Sequence, residues 1–138
     1  GVGVRFWPYS RNTRPKQFLD VLGTGKTLLQ STCDRFLPIC PVENIYVVTH
    51  EEHAALVKEQ LPQLSAEQIL TEPMRKNTAA CIAYATSKIS TKDKDAVIVV
   101  TPADHLIMME QEFHDIIKKA VDQAKTQDKL ITLGISPT

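Results

Sequence analysis

The chain has 138 residues, and its 16 lysines and arginines balance its 16 aspartates and glutamates. That length is typical of one domain with a real hydrophobic core, and the zero net charge argues against a broad nucleic-acid or anionic-membrane surface. No apolar run approaches the ~20 residues that cross a bilayer. The cysteines are widely spaced and form no CxxC pair, which is typical of reduced thiols in a cytoplasmic protein.

Helical and strand patterns alternate along the sequence. Helical periodicity and capping signals predict helices over Thr27–Leu37, from Thr49 to about Leu61, from Asn77 or Thr78 to about Ile89, and over Glu112–Lys125. Apolar and β-branched runs predict strands at Ile45–Val48, Ile69–Thr71, Ala96–Val100 and Leu130–Leu133. This alternation predicts a three-layer α/β domain with a mostly parallel sheet.

The first sixteen residues have the composition of a phosphate-binding loop. Gly1 and Gly3 carry no Cβ, so backbone N–H groups there can approach an anion closely. Arg5 and Lys16 add two cations suited to a polyphosphate. A loop of this kind normally follows a buried strand, and no strand precedes it here. We therefore expect these residues to belong to a longer chain and the domain to be incomplete at both ends.

Two further polar segments follow predicted strands, where an α/β sheet binds its ligands. Asp104 comes just after the strand Ala96–Val100. An isolated aspartate is more often a cap, but beside a phosphate loop its hard oxygens suit Mg²⁺. In the segment Glu72–Thr78, the carboxylate of Glu72 could accept from N1–H and N2–H₂ of guanine. Asn77 and Thr78 could contact ribose or base, or cap the next helix.

Two other motifs are rejected as functional sites. Gly25-Lys26-Thr27 ends like a Walker A loop but lacks the earlier glycine, so it is interpreted as a turn and a helix start. His50 and His53 are only three residues apart at a helix start, and we expect an exposed polar turn there rather than a zinc site.

The sequence resembles the sugar-nucleotide pyrophosphorylases, in the form found in mannose-1-phosphate guanylyltransferases. The resemblance runs from end to end and rests on GVGVRFWP at 1–8, PKQF at 15–18, the segment 72–79, PADH at 102–105 and GISPT at 134–138. It implies a GT-A-like, Rossmann-related nucleotidyltransferase domain. The implied reaction joins GTP and mannose 1-phosphate into GDP-mannose and pyrophosphate, with Mg²⁺ as cofactor. Residues 1–138 would be the N-terminal part of the catalytic domain and hold the nucleotide half of its site.

The resemblance also implies roles for individual residues. Arg5 and Lys16 would be catalytic, through contact with the reacting phosphates, and Asp104 would bind the metal. The residues that would contact the nucleotide are Gly1, Val2, Gly3, Val4, Glu72, Pro73, Arg75, Asn77 and Thr78. Val4 departs from the family, which usually has Ser or Thr there, so a hydroxyl contact to phosphate would be missing. We expect the chain alone to be poorly active or inactive.

Two alternatives stay open from the sequence. One is a pyrophosphorylase for another sugar 1-phosphate or nucleotide, because most of the sugar pocket would lie beyond these residues. The other is a non-catalytic nucleotide-binding regulatory module, which Val4 slightly favours. Retention of Arg5, Lys16 and Asp104 opposes the second alternative. No nucleic acid or membrane partner is expected, and homodimer formation is left open.

Overall fold

The computed structural model describes residues 14–72 and 77–134. Its regular elements are strands β1 (Val47–His50) and β2 (Ile69–Glu72) and helices α1 (Leu28–Phe36), α2 (Ala54–Gln60), α3 (Asn77–Ser90) and α4 (Glu110–Thr126). Short 3-10 turns precede β1, α2 and β2. Among the described residues, no helix has both the length and the apolar character needed to cross a membrane.

The two strands form a parallel pair joined by helix α2. Val47 lies opposite Ile69, and His50 lies opposite Glu72 at the carboxyl end. Buried Gln68 fixes this register, because its amide nitrogen donates to the carbonyls of Val42 and Ile45 at 2.6 and 2.8 Å. The unit β1–α2–β2 confirms the predicted α/β fold class with parallel strands.

The core lies between helices α1 and α2, the residues that follow α2, and the turn before α1. Its buried members are Phe18, Leu29, Cys33, Val57, Leu61 and Leu64. Half-buried residues of the strand region, including Val47 and Ile69, pack against this cluster. Leu29 and Cys33, two of the apolar residues whose spacing predicted α1, belong to this core, whereas Leu37 from the same pattern is 43% exposed.

Helix α4 is held against helix α1. His114 is buried, and its Nε2 lies 2.6 Å from the carbonyl oxygen of Arg35 near the end of α1. The rings of Phe36 and Phe113 meet edge to face with centroids 5.8 Å apart. The predicted helices at 27–37 and 112–125 thus exist and contact each other through aromatic and polar groups.

Two of the predicted strands are wrong among the described residues. Ala96–Val100 and Leu130–Leu133 have no regular secondary structure, and Val99 and Val100 are 41% and 55% exposed. An apolar run shows that a segment suits a buried strand, but a strand exists only through hydrogen bonds to a neighbour. Within residues 14–72 and 77–134, the sheet pairs β1 with β2 alone.

The start of the second helix also differs from its prediction. Thr49 lies inside strand β1 and does not cap a helix, because the strand begins and ends two residues later than the run Ile45–Val48 suggested. Ile45 instead ends a 3-10 turn, with its N–H donating to the carbonyl of Val42. His50 instead caps the 3-10 turn Glu51–His53 that leads into α2, with its Nδ1 accepting from the backbone N–H of Glu52 at 3.4 Å.

The loop before α1 is organised by the carboxylate of Asp20. Its two oxygens accept from the N–H groups of Thr24 at 3.0 Å and Gly25 at 2.7 Å. Gly23 and Gly25 have φ angles of 66° and 80°, which favour glycine. Thr27 then caps α1 through a capping box with Gln30, so the interpretation of this segment as a turn and a helix start is confirmed.

We expect this loop to lose stability in acid. The N–H donors of the loop, first that of Gly25, lower the pKa of Asp20 below its usual value of 3.8. The stabilisation is therefore present above that value and is lost as the pH falls through the lower folded-state pKa. Asp20→Ala should reduce the free energy of unfolding at pH 7, and its difference from the parent should shrink below pH ~4. Urea unfolding from pH 3 to 7 measures this, with Asp128→Ala as the exposed control. A difference between Asp20→Ala and the parent that does not change with pH would contradict the assignment.

Candidate functional site

Lys16 lies in a short turn that the core holds in place. The turn Lys16–Phe18 is closed by two backbone hydrogen bonds, from the N–H of Phe18 to the carbonyl of Pro15 and from that of Leu19 to the carbonyl of Lys16. The ring of Phe18 is 1% exposed and belongs to the core cluster. One end of the turn is thus anchored, while the Lys16 side chain lies at the surface.

A polar network led by Gln60 holds the same turn from the other side. Gln60 is the last residue of α2, and its Nε2 donates to the carbonyl of Phe18 at 3.1 Å. Its Oε1 accepts from the hydroxyl of Thr27 at 2.8 Å, and its carbonyl accepts from Nε2 of Gln30 at 3.0 Å. Because Nε2 faces an acceptor and Oε1 faces a donor, the orientation of the Gln60 side-chain amide is determined. This residue was not predicted from the sequence, since no local pattern shows what a lone glutamine will contact.

Replacing Gln60 should loosen the turn. Gln60→Ala leaves the carbonyl of Phe18 without its donor, and we expect the free energy of unfolding to fall by about 1–3 kcal/mol. The matched control is Gln63→Ala, because Gln63 makes a long contact of 3.7 Å to the sulfur of Cys33. Urea denaturation compares the two variants. Equal losses of stability would show that the Gln60 network has no special part in holding the turn.

Asp104 reaches Lys16 from a segment far along the chain. Ala103, its neighbour, packs against the core cluster that contains Phe18. Nζ of Lys16 and Oδ2 of Asp104 form an ion pair, and the two side chains remain 26% and 25% exposed. The structure therefore brings these two predicted site residues into direct contact, at a place that a solute can reach.

The turn that carries Lys16 approaches the end of strand β1 through Phe18. Its ring lies 5.8 Å from that of His53, which in turn lies 6.3 Å from the ring of His50 at the end of β1. His53 is buried, so the expectation that both histidines form an exposed polar turn is wrong for this residue. The contact of His53 with Phe18 joins separate segments of the chain, and the sequence pattern did not reveal it.

Glu72 and the start of α3 lie at and after the carboxyl end of strand β2. Glu72 is the half-buried last residue of β2, opposite His50. Burial raises the pKa of the Cys81 thiol, and the negative charge of Glu72 raises it further. Glu72 thus lies within electrostatic range of the first turns of α3. Cys81 itself is half-buried.

Asn77 and Thr78 begin α3, and both are exposed. Asn77 has a φ angle of 65°, in the left-handed region that asparagine adopts more readily than most other residues. This conformation turns the chain into the helix directly after the segment 73–76. The exposure of both side chains is compatible with contact to a ligand, and their binding roles stay predictions.

The remaining predicted site residues lie outside the described part of the chain. They are Gly1, Val2, Gly3, Val4, Arg5, Pro73 and Arg75. The roles predicted for them, including the phosphate-binding role of the opening loop, stay predictions.

A separate cavity of about 360 Å³ lies beside β2 and the second half of α3. Its lining includes Tyr46 and Tyr84, and the ammonium groups of Lys92 and Lys88 lie 5.7 and 6.0 Å from the centroids of these two rings. Lys16 and Asp104 do not line it. The ion pair of Lys16 and Asp104 and this cavity are therefore separate places on the molecule.

Parallel strands joined by a helix, with charged side chains at the carboxyl edge, define an α/β protein of the class that binds ligands at that edge. Comparison with known families makes this assignment specific. Residues 1–138 match the Nucleotidyl transferase family, and the chain belongs to it.

The similar proteins have related descriptions. The chain is 41% identical over 140 residues to the xanthan biosynthesis protein XanB of Xanthomonas campestris pv. campestris (strain B100), covering 100% of this chain and 29% of the relative. It is 40% identical over 139 residues to a mannose-1-phosphate guanylyltransferase of Escherichia coli, covering 99% of this chain and 29% of the relative. The chain thus spans about 29% of the length of these relatives.

A solved structure shares the fold. It is the crystal structure of a protein from Thermus thermophilus described as a mannose-1-phosphate geranyltransferase. The TM-score is 0.80 at 29% sequence identity, over 90% of this chain and 36% of the other. The α/β expectation from the sequence is confirmed by this match and by the family assignment.

Proposed function

We propose that this chain is the N-terminal, nucleotide-binding part of a mannose-1-phosphate guanylyltransferase. The reaction joins GTP and mannose 1-phosphate to give GDP-mannose and pyrophosphate. The observation that carries the proposal is the contact between Lys16 and Asp104, which brings a cation and a carboxylate together where both remain partly exposed to solvent. The descriptions of the similar proteins support GTP and mannose 1-phosphate over other nucleotides and sugar phosphates.

The residues present fit a divalent metal bound mainly by its substrate. Asp104 offers a partly exposed carboxylate, and the described residues contain no cluster of three or more His, Cys, Asp or Glu that could hold a metal alone. Mg²⁺ prefers hard oxygen ligands and often uses one or two carboxylates together with phosphates and water. We propose Mg²⁺ as the cofactor and Asp104 as its protein ligand in this chain. When bound, the ion neutralises negative charge on the triphosphate.

The chemistry needs charge neutralisation more than acid–base catalysis. An oxygen of the sugar phosphate attacks the α-phosphorus of GTP, and the bond from that phosphorus to the bridging oxygen breaks as pyrophosphate leaves. The attacking phosphate is already anionic, so no proton has to be removed. Lys16 offsets the repulsion between the anions and stabilises charge on the reacting phosphates, with Arg5 acting on the triphosphate.

Guanine selection is assigned to the edge that follows β2. The carboxylate of Glu72 accepts from N1–H and N2–H₂ of guanine, a pair of donors that adenine lacks. Asn77 and Thr78, at the start of α3, contact ribose or base together with Pro73 and Arg75. Gly1, Val2, Gly3 and Val4 bring the backbone of the opening loop close to the nucleotide. The protein is proposed to act in the cytoplasm, and homodimer formation stays a prediction.

Nucleotide binding by this chain tests the proposal. Calorimetric titration with GTP in the presence of Mg²⁺ should show binding that is tighter than that of ATP or UTP, with little turnover. In the full-length protein, pyrophosphate release should require mannose 1-phosphate. Equal binding of the three nucleotides would contradict guanine selection by this chain. Pyrophosphate release that proceeds equally fast without the sugar phosphate would indicate a simple nucleotide hydrolase.

A further inference from the structure

The ion pair between Lys16 and Asp104 joins the two groups that the proposed function assigns to different ligands. Lys16 is assigned to the anionic phosphates, and Asp104 to the divalent cation. In the structure each group neutralises the other. A carboxylate oxygen held by an ammonium group is a poorer metal ligand, and an ammonium group held by a carboxylate is a poorer phosphate ligand.

We infer that this ion pair couples metal binding to triphosphate binding at the same site. The inference rests on the proposed function. When the metal binds Asp104, the attraction that holds Lys16 to the carboxylate weakens, and the lysine can turn to the phosphates. Binding free energies are linked reciprocally, so the triphosphate must favour metal binding by the same factor. The pair thereby makes each ligand alone bind weakly and both together bind well.

The setting of the pair allows such an exchange. Both side chains are about three-quarters covered, so their attraction is less screened than that of a fully exposed pair, yet both can reach solvent. The backbones on either side are fixed, since Phe18 lies in the core and Ala103 packs against it. Only the side chains need to move, because the turn Lys16–Phe18 is held independently by Gln60.

Two variants test the two halves of the coupling in this chain. Lys16→Met should bind Mn²⁺ alone about fivefold more tightly than the parent, measured by electron paramagnetic resonance without nucleotide. Asp104→Asn should bind GTP about fivefold more tightly than the parent in EDTA, measured by calorimetry. A fivefold change in affinity corresponds to the upper end of the range of interaction free energies measured for solvent-exposed ion pairs. The matched controls Lys26→Met and Asp34→Asn break a surface pair of the same residue types and should change neither affinity.

The double variant Lys16→Met/Asp104→Asn distinguishes the loss of the ion pair from a general change in charge at the site. Removing any negative charge favours an anion, so Asp104→Asn could act on GTP without Lys16. If the pair is responsible, Asp104→Asn should no longer raise the GTP affinity in the Lys16→Met background. An undiminished effect in that background overturns the inference while leaving the proposed function intact. Failure of the parent chain to bind GTP even with Mn²⁺ overturns the proposed nucleotide site, and the coupling with it.

Discussion

Lys16→Ala in the full-length protein should lower kcat about 100-fold or more. The ammonium group is proposed to stabilise charge that develops as the bond to pyrophosphate breaks, and removing one such group typically costs ~3 kcal/mol in the barrier. Asp104→Ala should have a similarly large effect, because it removes the proposed metal ligand. Pyrophosphate release at saturating GTP, mannose 1-phosphate and Mg²⁺ measures both.

Lys26→Ala is the control for the loss of a lysine. Lys26 pairs with Asp34 at 2.7 Å and with no predicted site residue in the described part of the chain, and both side chains are more exposed than those of Lys16 and Asp104. This variant should retain nearly full turnover. If Lys16→Ala and Asp104→Ala both slow turnover less than tenfold, equivalent to ~1.4 kcal/mol, the roles assigned to them are wrong.

Phe18→Ala should cause the largest loss of stability among single changes near the site. Phe18 is 1% exposed. It shares the core with residues of α1, with Val57 of α2 and with two leucines that follow α2. Removing a buried phenylalanine side chain costs about 3–5 kcal/mol of unfolding free energy, from lost burial and from the cavity left behind. Thermal and urea unfolding of this chain measure the loss.

Phe36→Ala is the matched control for this change. Phe36 is half-buried and contacts Phe113 edge to face, so its removal should cost clearly less than that of Phe18. Phe18 also anchors the turn that carries Lys16. At temperatures where Phe18→Ala remains folded, GTP binding should therefore weaken as well. Equal losses of stability in the two variants would contradict the assignment of Phe18 to the centre of the core.

The helices were the most predictable part of the fold. Helices α1, α3 and α4 all lie within two residues of their predicted bounds. Helical periodicity and capping depend on residues close together in sequence, so they can be recognised without knowing the fold. The strands were harder. Ile69–Thr71 was correct, whereas Ala96–Val100 has the composition of a strand without a paired neighbour among the described residues.

The sequence indicated which residues belong to the candidate site but not how they contact one another. Lys16, Glu72 and Asp104 were identified because charged residues follow predicted strands or a glycine-rich loop. The network around Gln60 and the burial of His53 were not identified. A glutamine or a histidine has no sequence signal for its partners, since these lie on other elements and depend on how the elements pack.

The sequence alone determined helices α1, α3 and α4, the strand at Ile69–Thr71 and the motifs that mark the family. These properties are encoded in short segments, where spacing and residue type are sufficient. The tertiary structure decided that Lys16 pairs with Asp104, that Gln60 holds the turn beside them and that His53 packs against Phe18. Those contacts join segments that are distant along the chain, and only the packing of the core brings them within reach of one another.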